Sequence, residues 1–158
     1  MELPPYAIKE SESVPYLDFG MAHGILGPLI VMSKAKNQGF YADGIDEAIQ
    51  ILFNLYQDYT VQAENKILKF PVQLGVKEYE QKAAKRLSFN CGWCYGNGSI
   101  ALGLMRSAQY CGSSDEYEYY KEALLNILSD PIEQQGLDEP IICHGYASVL
   151  MLQMSAYF

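Results

Sequence analysis

Ala22-His23-Gly24-Ile25-Leu26-Gly27, Cys94-Tyr95-Gly96-Asn97-Gly98-Ser99 and Cys143-His144-Gly145-Tyr146-Ala147-Ser148 share one grammar. Each places Gly third, small residues soon after, and then an apolar run. That order predicts a loop entering a buried helix, with side chains suited to metal binding or proton transfer at its mouth. Both histidines and two of the four cysteines of the 158-residue chain lie in these segments. Cys94, Cys143 and His144 form the donor set of a catalytic zinc site, in which three protein ligands leave a fourth position open. The competing reading is a buried cysteine pair beside an unrelated histidine.

Outward from the three segments, helices of two kinds alternate. The stretch 23–36 is apolar on most sides (Ile25, Leu26, Leu29, Ile30, Val31, Met32) and is expected to be buried, with Pro28 near its start. Ile45, Ala48, Ile49, Leu52, Phe53 and Tyr56 then fall on one helical stripe, opposite Asp46, Glu47, Gln50, Asn54 and Gln57. The same pair recurs as a buried helix over 96–110 and an amphipathic one over 116–129, which Asp130-Pro131 stops. A last apolar helix is expected over 145–157. The segments begin 72 and then 49 residues apart, an imperfect repeat with insertions in its loops. Residues 1–19 read as irregular. The stretch 60–90 reads as a long loop or short hairpin followed by a helical turn over 78–87, either a rim or lid for the site or a decorated connection.

This alternation predicts an all-α architecture, an α/α toroid with inner helices ringing an axis and outer helices around them. The inner helices' N-terminal ends would then converge at one mouth. Three inner helices cannot close such a ring, and the sequence stops at Tyr157-Phe158 within an apolar run. Residues 20–158 are therefore expected to be a partial barrel domain.

A formal charge of −8 argues against a nucleic-acid binder, which needs a basic surface. The start of the chain lacks the apolar core of a signal peptide, and the runs at 25–32 and 149–154 are too short to span a bilayer. These features point to a cytoplasmic protein whose cysteines are reduced or metal-bound rather than paired. Cys91-Gly92-Trp93-Cys94 is a CxxC without the βαβ context of a redox fold, so Cys91 reads as a bystander or an alternative ligand. Cys111 reads as core, and Tyr117, Tyr119 and Tyr120 as outer-helix packing and surface.

At Gly20-Met21-Ala22-His23-Gly24-Ile25-Leu26-Gly27, Trp93-Cys94-Tyr95-Gly96-Asn97-Gly98 and Cys143-His144-Gly145 the sequence resembles the lanthionine synthetase C family, the LanC-type cyclases of lantibiotic biosynthesis. The resemblance runs over about 20–150. It implies a barrel of seven inner and seven outer helices and a zinc enzyme. That enzyme adds peptide cysteine thiols to dehydroalanine or dehydrobutyrine, closing thioether rings. It implies Zn2+ held by Cys94, Cys143 and His144, with His23 transferring a proton and Tyr95 beside the site. Its implied partners are a dehydrated precursor peptide and the dehydratase and transporter of a modification complex, which would hold the protein at the membrane surface. The family's arginine four residues before the first cysteine ligand is replaced here by Asn90, with Arg86 four residues earlier still. Two further readings compete: a non-catalytic module that binds zinc or peptide, and a toroid protein acting on glutathione or another thiol.

Overall fold

The computed structural model describes residues 15–63 and 67–157. In chain order the elements are β1 (Tyr16–Asp18), α1 (Leu26–Asn37), α2 (Ile45–Tyr59), β2 (Val61–Gln62), β3 (Leu68–Lys69), β4 (Pro71–Gly75), α3 (Val76–Glu80), β5 (Arg86–Leu87), α4 (Asn97–Cys111), α5 (Ser114–Ser129), a 3-10 turn (Ile132–Gln134) and α6 (Tyr146–Tyr157).

The buried and amphipathic helices alternate as their periodicity predicts. α1, α4 and α6 form an inner layer in which α4 touches both neighbours; α2 packs on α1, and α5 on α4. The stripe of α2 extends one turn further than expected: Ile49, Phe53, Tyr56 and Tyr59 are buried. On α5, Tyr120, Ala123, Leu124 and Ile127 face inward while Tyr119 stays exposed. α4 is the most enclosed element, buried along nearly its whole length from Asn97 to Ala108. Arg106 near its end donates Nη2 to the Ser155 carbonyl at 2.7 Å, tying α4 to α6.

All-round apolarity did not bury every inner-helix residue. Val31 is 67% exposed, Leu150 60% and Met154 57%, although Leu26, Leu29, Val149 and Leu152 are buried. α1 and α6 each present one apolar side that no described element covers. The first inner helix also starts later than its apolar run suggests. Leu26 opens α1, and His23 lies in the turn before it.

The stretch between α2 and α4 holds a short hairpin and a helical turn, as its sequence reading allowed, and adds a sheet that the reading did not include. β1, β4 and β5 make a three-stranded antiparallel sheet in the order β1-β4-β5, and β2 pairs with β3. Leu17 stands opposite Leu74, and Pro71 opposite Leu87. The short helix ends at Glu80, and the chain then returns to β5. Part of the segment read as irregular, 16–18, is the edge strand of this sheet; 1–14 lie outside the described residues. The strands are short and bury only Leu68, Pro71 and Leu74 of their own residues, so alternation was too brief to register as periodicity. Tyr56 on α2 donates its hydroxyl to the Phe19 carbonyl at 2.6 Å, and the Phe19 amide donates to Val72 at 3.0 Å. The sheet is thereby fastened to the helices beside the first loop motif.

α1 and α4 approach closely because Gly103 faces the buried side chain of Leu26. A Cβ at Gly103 would lie 2.8–2.9 Å from the Leu26 Cδ2, Cδ1 and Cγ atoms. Overpacking of this kind costs about 1–3 kcal/mol, offset in part by about 1 kcal/mol of helix propensity gained on leaving glycine. Gly103→Ala is expected to lower the urea midpoint by the equivalent of up to about 2 kcal/mol with an unchanged m-value.

Candidate functional site

Each inner helix begins with the same fold-back. The residue after the motif glycine donates its amide to the carbonyl seven positions earlier: Ile25 to Asp18 at 2.9 Å, Asn97 to Asn90 at 2.8 Å, Tyr146 to Glu139 at 2.7 Å. The motif glycines Gly24, Gly96 and Gly145 sit inside these turns. A Cβ on any of them would strike backbone: Gly20 and Asp18, Gly92 and Cys91, or Glu139 and Ile141. In the first two loops an Asx side chain closes the turn as well. Asp18 Oδ1 accepts from the Gly20 amide at 2.8 Å, and Asn90 Oδ1 accepts from the Gly92 amide at 3.0 Å.

The three loops are then laced together in register. Trp93 and Cys94 both donate backbone N–H to the Cys143 carbonyl, at 2.8 and 3.2 Å. Met21 and Ala22 make the equivalent pair to the Cys94 carbonyl, at 2.9 and 3.4 Å. The first and second loops thus each hand two consecutive amides to the cysteine carbonyl of the next. Ala22, Cys94 and Cys143 hold equivalent places, as do His23, Tyr95 and His144.

This lacing brings Cys94 and Cys143 together across 49 residues. They are joined as a disulfide with Cα atoms 5.8 Å apart, well inside the range that a disulfide needs. The expectation of unpaired thiols is corrected here: the shared Cys143 carbonyl sets the two backbones at bonding range. His144 follows Cys143 directly and its side chain is exposed. Two sulphurs and an imidazole adjacent in sequence are of the kinds that zinc takes as ligands. With the sulphurs joined, no group of three His, Cys, Asp or Glu is gathered for a metal among the described residues.

His23 is exposed at the same rim, its ring centroid 6.3 Å from that of Tyr95. Tyr95 lies over Gly20, where a Cβ would meet its ring. Burial raises the Tyr95 hydroxyl above its ordinary pKa, and the charges of Asp18 and Tyr16 add to this. Burial likewise raises the Asp18 carboxyl, against the opposing pull of the Gly20 amide and of His23. A half-buried carboxylate therefore stands behind the turn that carries His23.

Asp18 was missed in the sequence, and its signal was present. Asp18-x-Gly20-x-x-x-Gly24 and Asn90-x-Gly92-x-x-x-Gly96 have the same spacing of Asx and two glycines. Asn90 is committed to its turn and projects no cation toward the site. Arg86 lies on β5 with Nη1 donating to Gln73 Oε1 at 3.0 Å, so it does not stand in for the family arginine. Trp93 is half-buried and contributes through its backbone. Cys111, the last residue of α4, is only partly buried.

Cys91 is a free, buried thiol turned away from the pair. A Cβ on Gly98 would lie 2.6 Å from its Sγ and 2.8 Å from Leu152, so it is packed against the start of α4. Burial pushes the thiol up to about 11, moderated by the Gly98 amide and raised further by Asp130. Unfolded, it would ionise near 9.0, so the folded state keeps a proton that the unfolded state loses. Stability should fall as pH rises from the lower value through the upper one. Between pH 8 and pH 11 the chain is expected to lose about 2 kcal/mol more than a Cys91→Ala variant in urea titrations.

The family model described as lanthionine synthetase C-like protein matches residues 8–157. Nisin biosynthesis protein NisC of Lactococcus lactis subsp. lactis is 26% identical over 145 residues, covering 89% of this chain and 34% of that protein. The solved structure of nisin cyclase superposes with a TM-score of 0.75 at 20% identity, over 88% of this chain and 34% of that one. The helical layers thus correspond to part of a toroid, and the chain spans about a third of the length of the relatives it matches.

Proposed function

The chain belongs to the lanthionine synthetase C-like family, and we propose that it supplies the metal-binding part of a lanthionine cyclase. In this reading Cys94, Cys143 and His144 hold Zn2+ when the sulphurs are reduced. Bound there, the ion would lower the pKa of a peptide cysteine thiol, which at about 8.5 is mostly protonated at neutral pH. His23 then delivers a proton to the α-carbon of the dehydroalanine or dehydrobutyrine as the sulphur adds to its β-carbon. Tyr95, its ring tilted beside that of His23, lines the site. The loop lacing fixes the donors and His23 on one rim, so that one bound peptide can reach both.

The single observation that carries this reading is the meeting of Cys94 and Cys143 from two loops at the rim that also bears His23. Residues 20–158 are taken as the barrel portion. The substrate is a dehydrated precursor peptide, handled with the dehydratase and transporter of a modification complex. None of the helices in the described residues is long and apolar enough to cross a membrane. A cytoplasmic site, peripheral to the membrane through that complex, agrees with this.

Reduced protein should hold one zinc per chain. Cys143→Ala is expected to remove most of it, because two remaining ligands hold the ion poorly. Cys91→Ala should retain it, since that thiol is packed away from the rim. Equal loss in both variants, measured by metal analysis after dialysis, would assign the ion to the CxxC instead. A second reading, zinc or peptide binding without turnover, is favoured by Asn90 in place of the family arginine. A cyclisation assay on dehydrated peptide separates the two.

A further inference from the structure

We propose that Cys94 and Cys143 are a reversible oxidation site: a peroxide joins them and releases the metal, and a low-molecular-weight thiol reopens the site. The release of metal rests on the function proposed above; the joining of the sulphurs does not.

Three features of the molecule carry this. The backbone is already set for the bond: the Cys143 carbonyl holds the Trp93 and Cys94 amides, and the Cα separation is 5.8 Å. Linking the sulphurs therefore needs no movement of the loops. Both cysteines are only partly buried, so a small oxidant can reach them. The nearest alternative partner is withdrawn, since Cys91 is 2% exposed and packed on Gly98 and Leu152. Its raised pKa also leaves little thiolate to compete.

The chemistry balances with hydrogen peroxide as the oxidant. One cysteine thiolate attacks a peroxide oxygen, breaking the O–O bond; it becomes a sulfenic acid, and the departing hydroxide takes a proton from solvent and leaves as water. The second thiolate attacks the first sulphur, the S–S bond forms, and the sulfenic oxygen takes a second solvent proton and leaves as a second water. The two sulphurs together give up two electrons, and the two peroxide oxygens take them. Two molecules of a small thiol reverse the change and are themselves oxidised to a disulfide. In the joined state neither sulphur is a thiolate donor. His144 alone then remains of the three ligands, too few to retain the ion.

The test uses the chain in its reduced form, loaded with zinc and treated with hydrogen peroxide. Intact mass, a non-reducing peptide map and a zinc-binding dye are followed on the same sample. The mass should fall by about 2 Da, the map should join Cys94 to Cys143, and zinc should appear in step with the link. Dithiothreitol should restore the mass and the capacity to bind zinc. Cys91→Ala should behave as the parent does, and Cys143→Ser should form no link. Three outcomes would overturn the proposal: a link through Cys91, oxidation to sulfinic acid without a link, or zinc held at full occupancy after the link has formed. If the reduced protein takes up no zinc and the link still forms and reverses, the oxidation site stands and the metal reading of the function fails.

Discussion

A Gly96→Ala chain is expected to lose about 3 kcal/mol or more of stability, and with it the geometry of the cysteine rim. Gly96 has an ordinary extended backbone, φ −80° and ψ 153°, so conformational freedom is not what the position requires. It requires space. The added methyl would strike the Gly92 amide and carbonyl and the Cys91 carbonyl carbon, all of them backbone atoms that cannot rotate away. The Gly96 amide also donates to the Gly92 carbonyl at 3.0 Å, so relieving the clash breaks the turn that presents Cys94. Gly112→Ala is the control. That glycine ends α4 at φ 72° with nothing within 4 Å of a new Cβ, so it carries only the left-handed backbone penalty of about 1–2 kcal/mol. Urea denaturation of both variants checks the ranking. A Gly96→Ala chain no less stable than Gly112→Ala would mean that the fold-back is not as tight as described. The loss of rim geometry should appear as loss of zinc from the reduced protein.

Under the function proposed above, His23→Ala is expected to keep zinc and to lose about a hundredfold to ten-thousandfold in cyclisation rate, the usual cost of removing a general acid. His23 lies in a different loop from Cys94, Cys143 and His144, and is flanked by Ala22 and Gly24. Its exposed ring lies beside Tyr95, the residue after Cys94, with the ring centroids 6.3 Å apart. Zinc content and rate are to be measured on the same sample. If zinc leaves together with activity, His23 is a ligand or a support for the site. If neither changes, the proton comes from another group, and Tyr95 becomes the next residue to replace. Thiol addition that continues without ordered protonation should appear as a stereochemically mixed product.

The sequence by itself determined the helical layers and named the candidates for the site. Long apolar runs and one-sided stripes repeat over three or four turns, and burial follows such patterns almost directly. The stripe from Ile45 to Tyr56 named the inward face of α2, and the recurring glycines marked where the inner helices begin. The order of the three motifs was also enough to indicate the family, because motif order survives insertions that blur everything between them. Tertiary structure decided what depends on contacts between distant segments. The sheet of β1, β4 and β5 draws on strands of two to five residues, too short to carry a period, and is held by Tyr56 and Asn97 from the helices. The meeting of Cys94 with Cys143 depends on two amides reaching one carbonyl across 49 residues, which no local pattern encodes. So does the separation of Cys91 from that pair: the CxxC spacing leaves either partner open, and only packing against Gly98 and Leu152 closes the choice. Val31, Leu150 and Met154 show the same limit from the other side. Hydropathy says that a side chain would gain from cover, but only the surrounding elements decide whether it has any.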